Sequence, residues 1–379
     1  MRAPPTRYGF LSEALAAADA AAYVHVGDRR DPTLRYLARV SGPPGRVAFV
    51  YVDGTATLLV PEAGVRRARR EFAGDAVEPV SAFDARDPGV AAAGLLDRAG
   101  VAGTVLSPRH VPHDAALYVE GDRRTVTASD AVATRRERKS EAALEATAAV
   151  GEAAAVGLDA AAAALADATR ERDGRLHADG APLTTERLRR TVDAALAGEG
   201  VAGAGNTVVA AGRAATDPQF AGDVPVEVGD PVVVDVTPRG PHGHHARLAR
   251  TFLVDSDGGW DRRAEVAVRA AVAAGTNAVD PGEAARVVRQ EVRAEVRAHG
   301  FATDREGVGF DGDAGGGVGL APRERPALDG GATLAAGHVL AVAAGVCDPR
   351  EGGVRRADTV AVTDDGVRSL TDYDPSRSP

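Results

Sequence analysis

Residues 231 to 255 read PVVVDVTPRGPHGHHARLARTFLVD, and they contain the side chains best placed to do chemistry. Val232, Val233 and Val234 lead to one carboxylate, Asp235. A Pro/Gly/His turn follows, and a second run passes through Arg247, Arg250 and Thr251 to Leu253 and Val254. The pattern predicts two strands joined by a loop, with Asp235 near the inner end of the first. An acid after so many β-branched residues is costly to bury alone, and either a metal or an arginine would serve as its partner. The loop also holds His242, His244 and His245. His245 has the strand parity of Arg247, so it could face the same cavity as Asp235, but a mononuclear metal site there needs a third ligand. Without one, the three histidines read as a solvated polar loop. Asp311 and Asp313 lie in a glycine-dense loop of flexible character. Cys347 has no His or Asp partner by spacing and reads as a core cysteine. His110 and His113 sit beside Pro112 with no Cys or carboxylate at ligand spacing, which favours a surface or capping role over metal binding.

The 379-residue chain is long enough for two domains, and 44% hydrophobic residues can supply a sizeable core. A formal charge of -9 argues against general nucleic-acid binding. Lys139 is the only lysine; all other basic side chains are Arg or His, as in the acidic proteome of a GC-rich genome, archaeal in character. The single cysteine excludes an intrachain disulfide and suits the cytoplasm. No signal peptide and no uncharged run of eighteen apolar residues is evident, so a cytoplasmic protein without a membrane partner is expected.

The elements that must position these residues follow from punctuation and periodicity. Up to residue 130, short helices and strands alternate. Residues 10–20 form a helix, 23–26 a strand, 34–38 part of a helix, and 46–61 a hairpin about Asp53-Gly54. A helix follows over 65–72, another is opened by Asp87-Pro88, a strand covers 101–106 and a last helix 115–120. No Gly-rich phosphate loop follows any of these strands. From Ala133 the texture changes to a long Ala-rich helix that must lie on something. Residues 171–183 read as a loop or insertion, 185–196 as a helix, 206–210 as a strand and 261–279 as a helix. Asp280, Pro281 and Glu283 predict a capped helix start, ended by His299-Gly300. Strands over 339–346 and 358–363 and a hairpin closing at 366–370 complete the chain. The predicted class is α+β rather than a dinucleotide-binding fold. The predicted domains are 1–130 and 131–373, with a short tail over 374–379.

In this order and spacing, the motifs RRERKSEAALEATA, VVVD at Asp235, Arg250-Thr251, DPGEAA, GVGL from Gly317, PALDGGATLAAGHVLAV and GGVRRADTVAVT resemble the pita-bread metallopeptidases. That group includes X-prolyl aminopeptidase, prolidase and creatinase, with methionine aminopeptidase as a relative. The resemblance covers nearly the whole chain. It implies a pita-bread C-terminal domain preceded by a smaller creatinase-like α/β domain, and a homodimer.

Active members of this group hold two divalent ions such as Mn, Co or Zn on two Asp, one His and two Glu. By resemblance these positions fall on Asp235, Arg247, Gly316, Ala343 and Ala357, so a single ligand remains. Two further family histidines, which handle substrate and leaving group, fall on Gln219 and Arg323. Asp358 neighbours the last lost Glu but should point to the opposite sheet face. The expected pocket is therefore Asp235, Arg247, Arg323, Gln219 and His245, with no metal and no catalytic residue assigned. Arg247 should donate to Asp235 in place of the ions, and the added arginines should favour an anion such as a peptide C-terminus. Two functions stay open: a non-catalytic peptide- or anion-binding or scaffold protein, and an active metal-dependent X-prolyl aminopeptidase or dipeptidase with a rebuilt site.

Overall fold

The computed structural model describes residues 6–40, 45–220, 222–256 and 258–373; the tail over 374–379 lies outside the described residues. The chain divides into two compact units, 1–136 and 137–379, six residues later than the sequence reading placed the division.

The first unit contains α1 (Gly9–Ala17), β1 (Ala20–Gly27), α2 (Pro32–Ala38), β2 (Val47–Val52), β3 (Thr55–Val60), α3 (Val65–Glu71), β4 (Ala76–Pro79), α4 (Pro88–Arg98), β5 (Gly103–Ser107), α5 (His113–Val119) and β6 (Arg124–Ala128). Helix α6 (Ala131–Glu137) crosses the division. The strands form one sheet in the order β4-β3-β2-β1-β5-β6. β1, β2 and β3 pair antiparallel, whereas β1 pairs parallel with β5. Two helix starts follow their local signals. Asp31 accepts from the Leu34 amide at 2.7 Å and Asp87 from the Gly89 amide at 2.7 Å, each just ahead of a proline in the first turn. β4 and β6 stand where no strand is expected, because Ala76–Pro79 and Arg124–Ala128 are short edge strands without a fully buried residue, and the long helix expected from Ala133 is broken into α6 and α7 at residues 138–140.

The second unit begins with α7 (Glu141–Ala166), β7 (Thr169–Arg170), β8 (Leu176–Ala178), β9 (Ala181–Pro182), α8 (Thr185–Gly198) and β10 (Val208–Ala211). It continues through β11 (Pro231–Val236), β12 (Leu248–Leu253), α9 (Trp260–Asn277), α10 (Ala285–Ala298), β13 (Gly309–Phe310), β14 (Gly315–Gly317), β15 (Val339–Asp348), β16 (Gly352–Thr363) and β17 (Gly366–Ser369). An antiparallel sheet runs β10-β11-β12-β16-β15-β13, with β14 beside β15 and β17 beside β16.

Strand alternation divides this sheet into two chemically different faces. The registers Asp235↔Ala249, Ala249↔Ala357 and Ala343↔Ala357 put the odd-numbered residues of the four central strands on one face. The even-numbered residues form the other. Val232, Val234, Val236, Leu248 and Phe252 pack with Ala154, Leu158 and Ala161 of α7 and Leu188 and Val192 of α8. Leu340, Val342, Ala344 and Val360 pack with Val268 and Val272 of α9 and Val288 and Val292 of α10. All four helices pack on the even face, while the start of α7 also reaches the odd-numbered Val339, Ala341 and Ala361 through Leu144, which leaves the odd face around Asp235 to carry a site. Helix α7 is long and apolar enough to cross a membrane by length and composition, but half of its most apolar window is buried within the fold.

Two local expectations fail for identifiable reasons. Asp280 does not cap a helix: Gly282 has φ +91°, and residues 282–284 turn beside 332–334 with an isolated bridge at Ala284↔Thr333, exchanging backbone bonds such as Gly282 N to Leu334 O at 2.9 Å. The left-handed glycine interrupts the helical path, so α10 starts at Ala285. Residues 171–183 are not a plain loop, since β7, β8 and β9 form a small three-stranded sheet around the buried Leu176.

Candidate functional site

Asp235 stands on the odd face at the inner end of β11 and is buried. Arg247, just before β12, reaches it diagonally: Nε donates to Oδ1 at 3.0 Å and Nη2 to Oδ2 at 2.6 Å. The third guanidinium nitrogen, Nη1, lies 2.8 Å from Oδ2 of Asp313. Arg355 of β16 places Nη2 at 2.6 Å from Asp311 and Nη1 at 3.6 Å from Asp235. Gly345, the cross-strand partner of Arg355, makes room for this pair, because a Cβ there would collide with the Asp311 carboxylate. Burial works against the Arg247 charge, but Asp235 and Asp313 outweigh it and raise its pKa. Burial also pushes the Asp313 carboxyl up, yet Arg247 and Arg355 pull it down to about 2.

The segment of Arg247 and β12 is held to β16 by hydroxyls rather than by a full backbone ladder. β12 and β16 share the single register pair Ala249↔Ala357. On one side of it Thr359 Oγ1 accepts from Arg247 N at 2.8 Å and donates to Arg247 O at 2.9 Å. On the other, Thr251 Oγ1 accepts from Arg355 N at 2.8 Å and donates to Arg355 O at 3.0 Å. Each threonine thus fixes the backbone of one site arginine. Arg250 has the opposite parity and pairs with Asp358 at 2.7 Å, so both lie off the odd face.

The positions expected to hold ions do not offer donors for a dinuclear centre. Asp235 is committed to Arg247. Ala343 and Ala357 pack with Ala249 into a fully buried apolar cluster. At Gly316 an added Cβ would meet open space, and the residue itself offers no side-chain donor. Among the described residues, no group of three or more His, Cys, Asp or Glu side chains converges at Asp235. A cavity of about 490 Å³ remains, with Asp235, Arg247, Asp313, Arg323, Arg355 and Gln219 in its wall. An adjoining cavity of about 420 Å³ shares Asp313, Gly316 and Arg323.

Several sequence expectations are corrected. The histidine loop is not solvated: His244 and His245 are buried, and His245 is not in the wall of the 490 Å³ cavity. Its Nδ1 lies 3.1 Å from Gly319 O, and burial lowers its pKa to about 4. Asp311 and Asp313 are not loop ornaments but counter-ions of Arg355 and Arg247. Arg323 does reach the cavity, but its side chain is 77% exposed and approaches Asp313 only to 3.6 Å. The network of Asp235, Asp311 and Asp313 with Arg247, Arg355 and Arg323 is balanced three against three, so the arginines bring no net surplus of positive charge. Cys347 is buried and unbridged. In the first unit, His110 joins His25 and Asp31, a grouping that local sequence spacing does not show.

Comparison with known proteins bears on the same stretch of chain. Residues 140–364 match the metallopeptidase family M24. This chain belongs to that family. The Xaa-Pro dipeptidase of Pyrococcus furiosus is 31% identical over 169 residues, a segment covering 44% of this chain and 47% of that protein. The match thus spans about half of the relative's length. Among solved structures, the prolidase of Pyrococcus horikoshii OT3 superposes with a TM-score of 0.80 at 20% identity, covering 97% of this chain and 98% of that one. The Xaa-Pro dipeptidase of Bacillus anthracis gives 0.82 at 17% identity, covering 97% of each chain. These structural likenesses establish the pita-bread fold with its additional N-terminal domain.

Proposed function

We propose that this M24 member does not hydrolyse peptides and instead holds a peptide in the cavity above the odd sheet face. The bidentate Arg247–Asp235 pair carries the reading. Hydrolysis in this family depends on ions that acidify a water and polarise the scissile carbonyl. Here the surviving ligand carboxylate is occupied by a permanent cation, and Gly316, Ala343 and Ala357 supply no donor atoms. The inner arginines are saturated by aspartates, so recognition of a peptide carboxylate falls to the exposed guanidinium of Arg323, with Gln219 as a neutral polar contact in the cavity wall. A homodimer follows from the branch that the chain resembles, and a cytoplasmic location from its single, unbridged cysteine.

The test is hydrolysis of X-Pro and Gly-Pro peptides with added manganese or cobalt, run beside equilibrium binding of the same peptides. Binding without turnover, weakened by Arg323→Ala, is expected. Metal-dependent turnover abolished by Asp235→Asn would instead make the protein an active dipeptidase, as the names of its relatives suggest.

A further inference from the structure

We propose that His25, Asp31 and His110 in the first unit form a mononuclear site for a divalent transition-metal cation of the zinc type. The three ligand atoms lie within 4.8 Å of one another. His25 Nε2 is 3.0 Å from Asp31 Oδ2, and His110 Nε2 is 3.3 Å from the same oxygen. Atoms bound to zinc at about 2.0–2.1 Å stand roughly 3.3 Å apart along the edge of a tetrahedron. The two spacings to Asp31 Oδ2, 3.0 and 3.3 Å, are close to that edge.

The His25 ring gives a second, independent observation. Its side chain is fully buried, yet neither ring nitrogen makes a well-aligned hydrogen bond. Nε2 approaches the carboxylate closely but off the line of a hydrogen bond, so distance alone overstates that contact. A buried polar atom left in this state is costly. A cation between the three groups satisfies Nε2 and accounts for the misalignment, because ligand lone pairs converge on the ion rather than on one another.

The supporting structure is also in place. Asp31 caps α2, its Oδ1 accepting from the Leu34 amide at 2.7 Å, which orients the carboxylate and leaves Oδ2 toward the histidines. His25 lies near the carboxyl end of β1, and His110 follows the carboxyl end of the adjacent parallel strand β5. Successive strands after β1 build the sheet on one side, while β5 and β6 build it on the other. The group therefore sits at the carboxyl ends of parallel strands at a topological switch point, where open α/β sheets bind ligands. His110 is 51% exposed, which gives the ion a route in from solvent. Two imidazoles and one carboxylate suit zinc, cobalt(II) or iron(II) rather than magnesium or calcium.

The test is calorimetric titration of the full metal-free chain with zinc, and of cobalt(II) by its visible absorption. One zinc per chain and a tetrahedral cobalt spectrum are expected. His110→Ala and Asp31→Asn should each weaken zinc binding by about tenfold or more. His110 is exposed and Asn retains the helix cap, so both variants should fold, which circular dichroism checks. Asp235→Asn should leave this binding unchanged, so the outcome is separable from that of the peptide-cavity proposal. No saturable zinc binding at micromolar concentration, or binding indifferent to His110→Ala, would overturn the site.

Discussion

Arg247 and Asp235 meet fork to fork, with Nε to Oδ1 at 3.0 Å and Nη2 to Oδ2 at 2.6 Å, both side chains buried. Removing only the arginine takes the close partner from two acids, Asp235 and Asp313, and leaves each with an arginine no nearer than 3.6 Å. Arg247→Ala should therefore destabilise the protein by about 3–5 kcal/mol in urea denaturation. Replacing the pair, as Asp235→Asn with Arg247→Met, should restore part of that loss, since the lone charge at Asp235 is gone. A single variant within about 1 kcal/mol of the native protein would mean that the pair contributes little.

The lost ligand positions differ in what they can accept. Ala357 is sealed against Ala249 and Ala343, so Ala357→Leu overfills the cluster and should cost about 1–3 kcal/mol. Gly316 opens into space, and Gly316→His should stay within about 0.5 kcal/mol. Thermal melts of the two variants check the contrast; equal losses would show that the alanine cluster is not close-packed.

Acid should act on this fold in two steps. Burial lowers His245 to about 4. Burial, helped by Lys139 and Arg138, lowers His338 to about 4 as well, and its Nδ1 accepts from Ala335 N at 3.2 Å. An unfolded histidine titrates near 6.5, so between roughly 6.5 and 4 the unfolded chain binds more protons and stability falls as pH falls. Asp313, with a folded pKa of about 2, adds stability that is present above the unfolded carboxylate range and lost as pH drops toward that value. His338→Asn keeps an acceptor for the Ala335 amide but does not titrate. Its melting temperature should vary less between pH 6.5 and 4 than that of the native chain. An unchanged slope would remove His338 from the acid response.

Much of this organisation is legible in the sequence because it rests on strand alternation. The β-branched run before Asp235 and the parity of Arg247, Arg250 and Asp358 determine which residues share a face. Other features depend on contacts that local pattern does not encode. Asp311 and Asp313 occupy a glycine-dense stretch with no periodicity, and only the fold of β13 and β14 against β15 brings them to Arg355 and Arg247. The DPGEAA segment has every mark of a helix start, but tertiary pairing with residues 332–334 and the left-handed Gly282 outweigh the capping signal. His25, Asp31 and His110 meet because β1 and β5 are neighbours, a relation absent from their spacing.

The last prediction concerns whether one substitution can recover a metal centre at Asp235. Arg247→Asp restores the second family aspartate and frees Asp235 from its cation. It also gathers three buried carboxylates, those of Asp235 and Asp313 and the one introduced by the substitution, with Arg355 as the nearest remaining buried counter-charge. Like charges at such range raise one another's pKa, so the variant should take up protons and lose stability rather than gain a dinuclear site. Gly316, Ala343 and Ala357 still provide no ligand, and two divalent ions bridged by a water need more than two aspartates to hold them. Arg247→Asp should therefore show no manganese- or cobalt-dependent hydrolysis of X-Pro peptides. Calorimetry with manganese should find no stoichiometric pair of ions in the native chain, and the result should not change with Asp235→Asn. Two ions per chain in the native protein, lost on Asp235→Asn, would mean that the arginine yields its carboxylate to metal and that the non-hydrolytic reading is wrong.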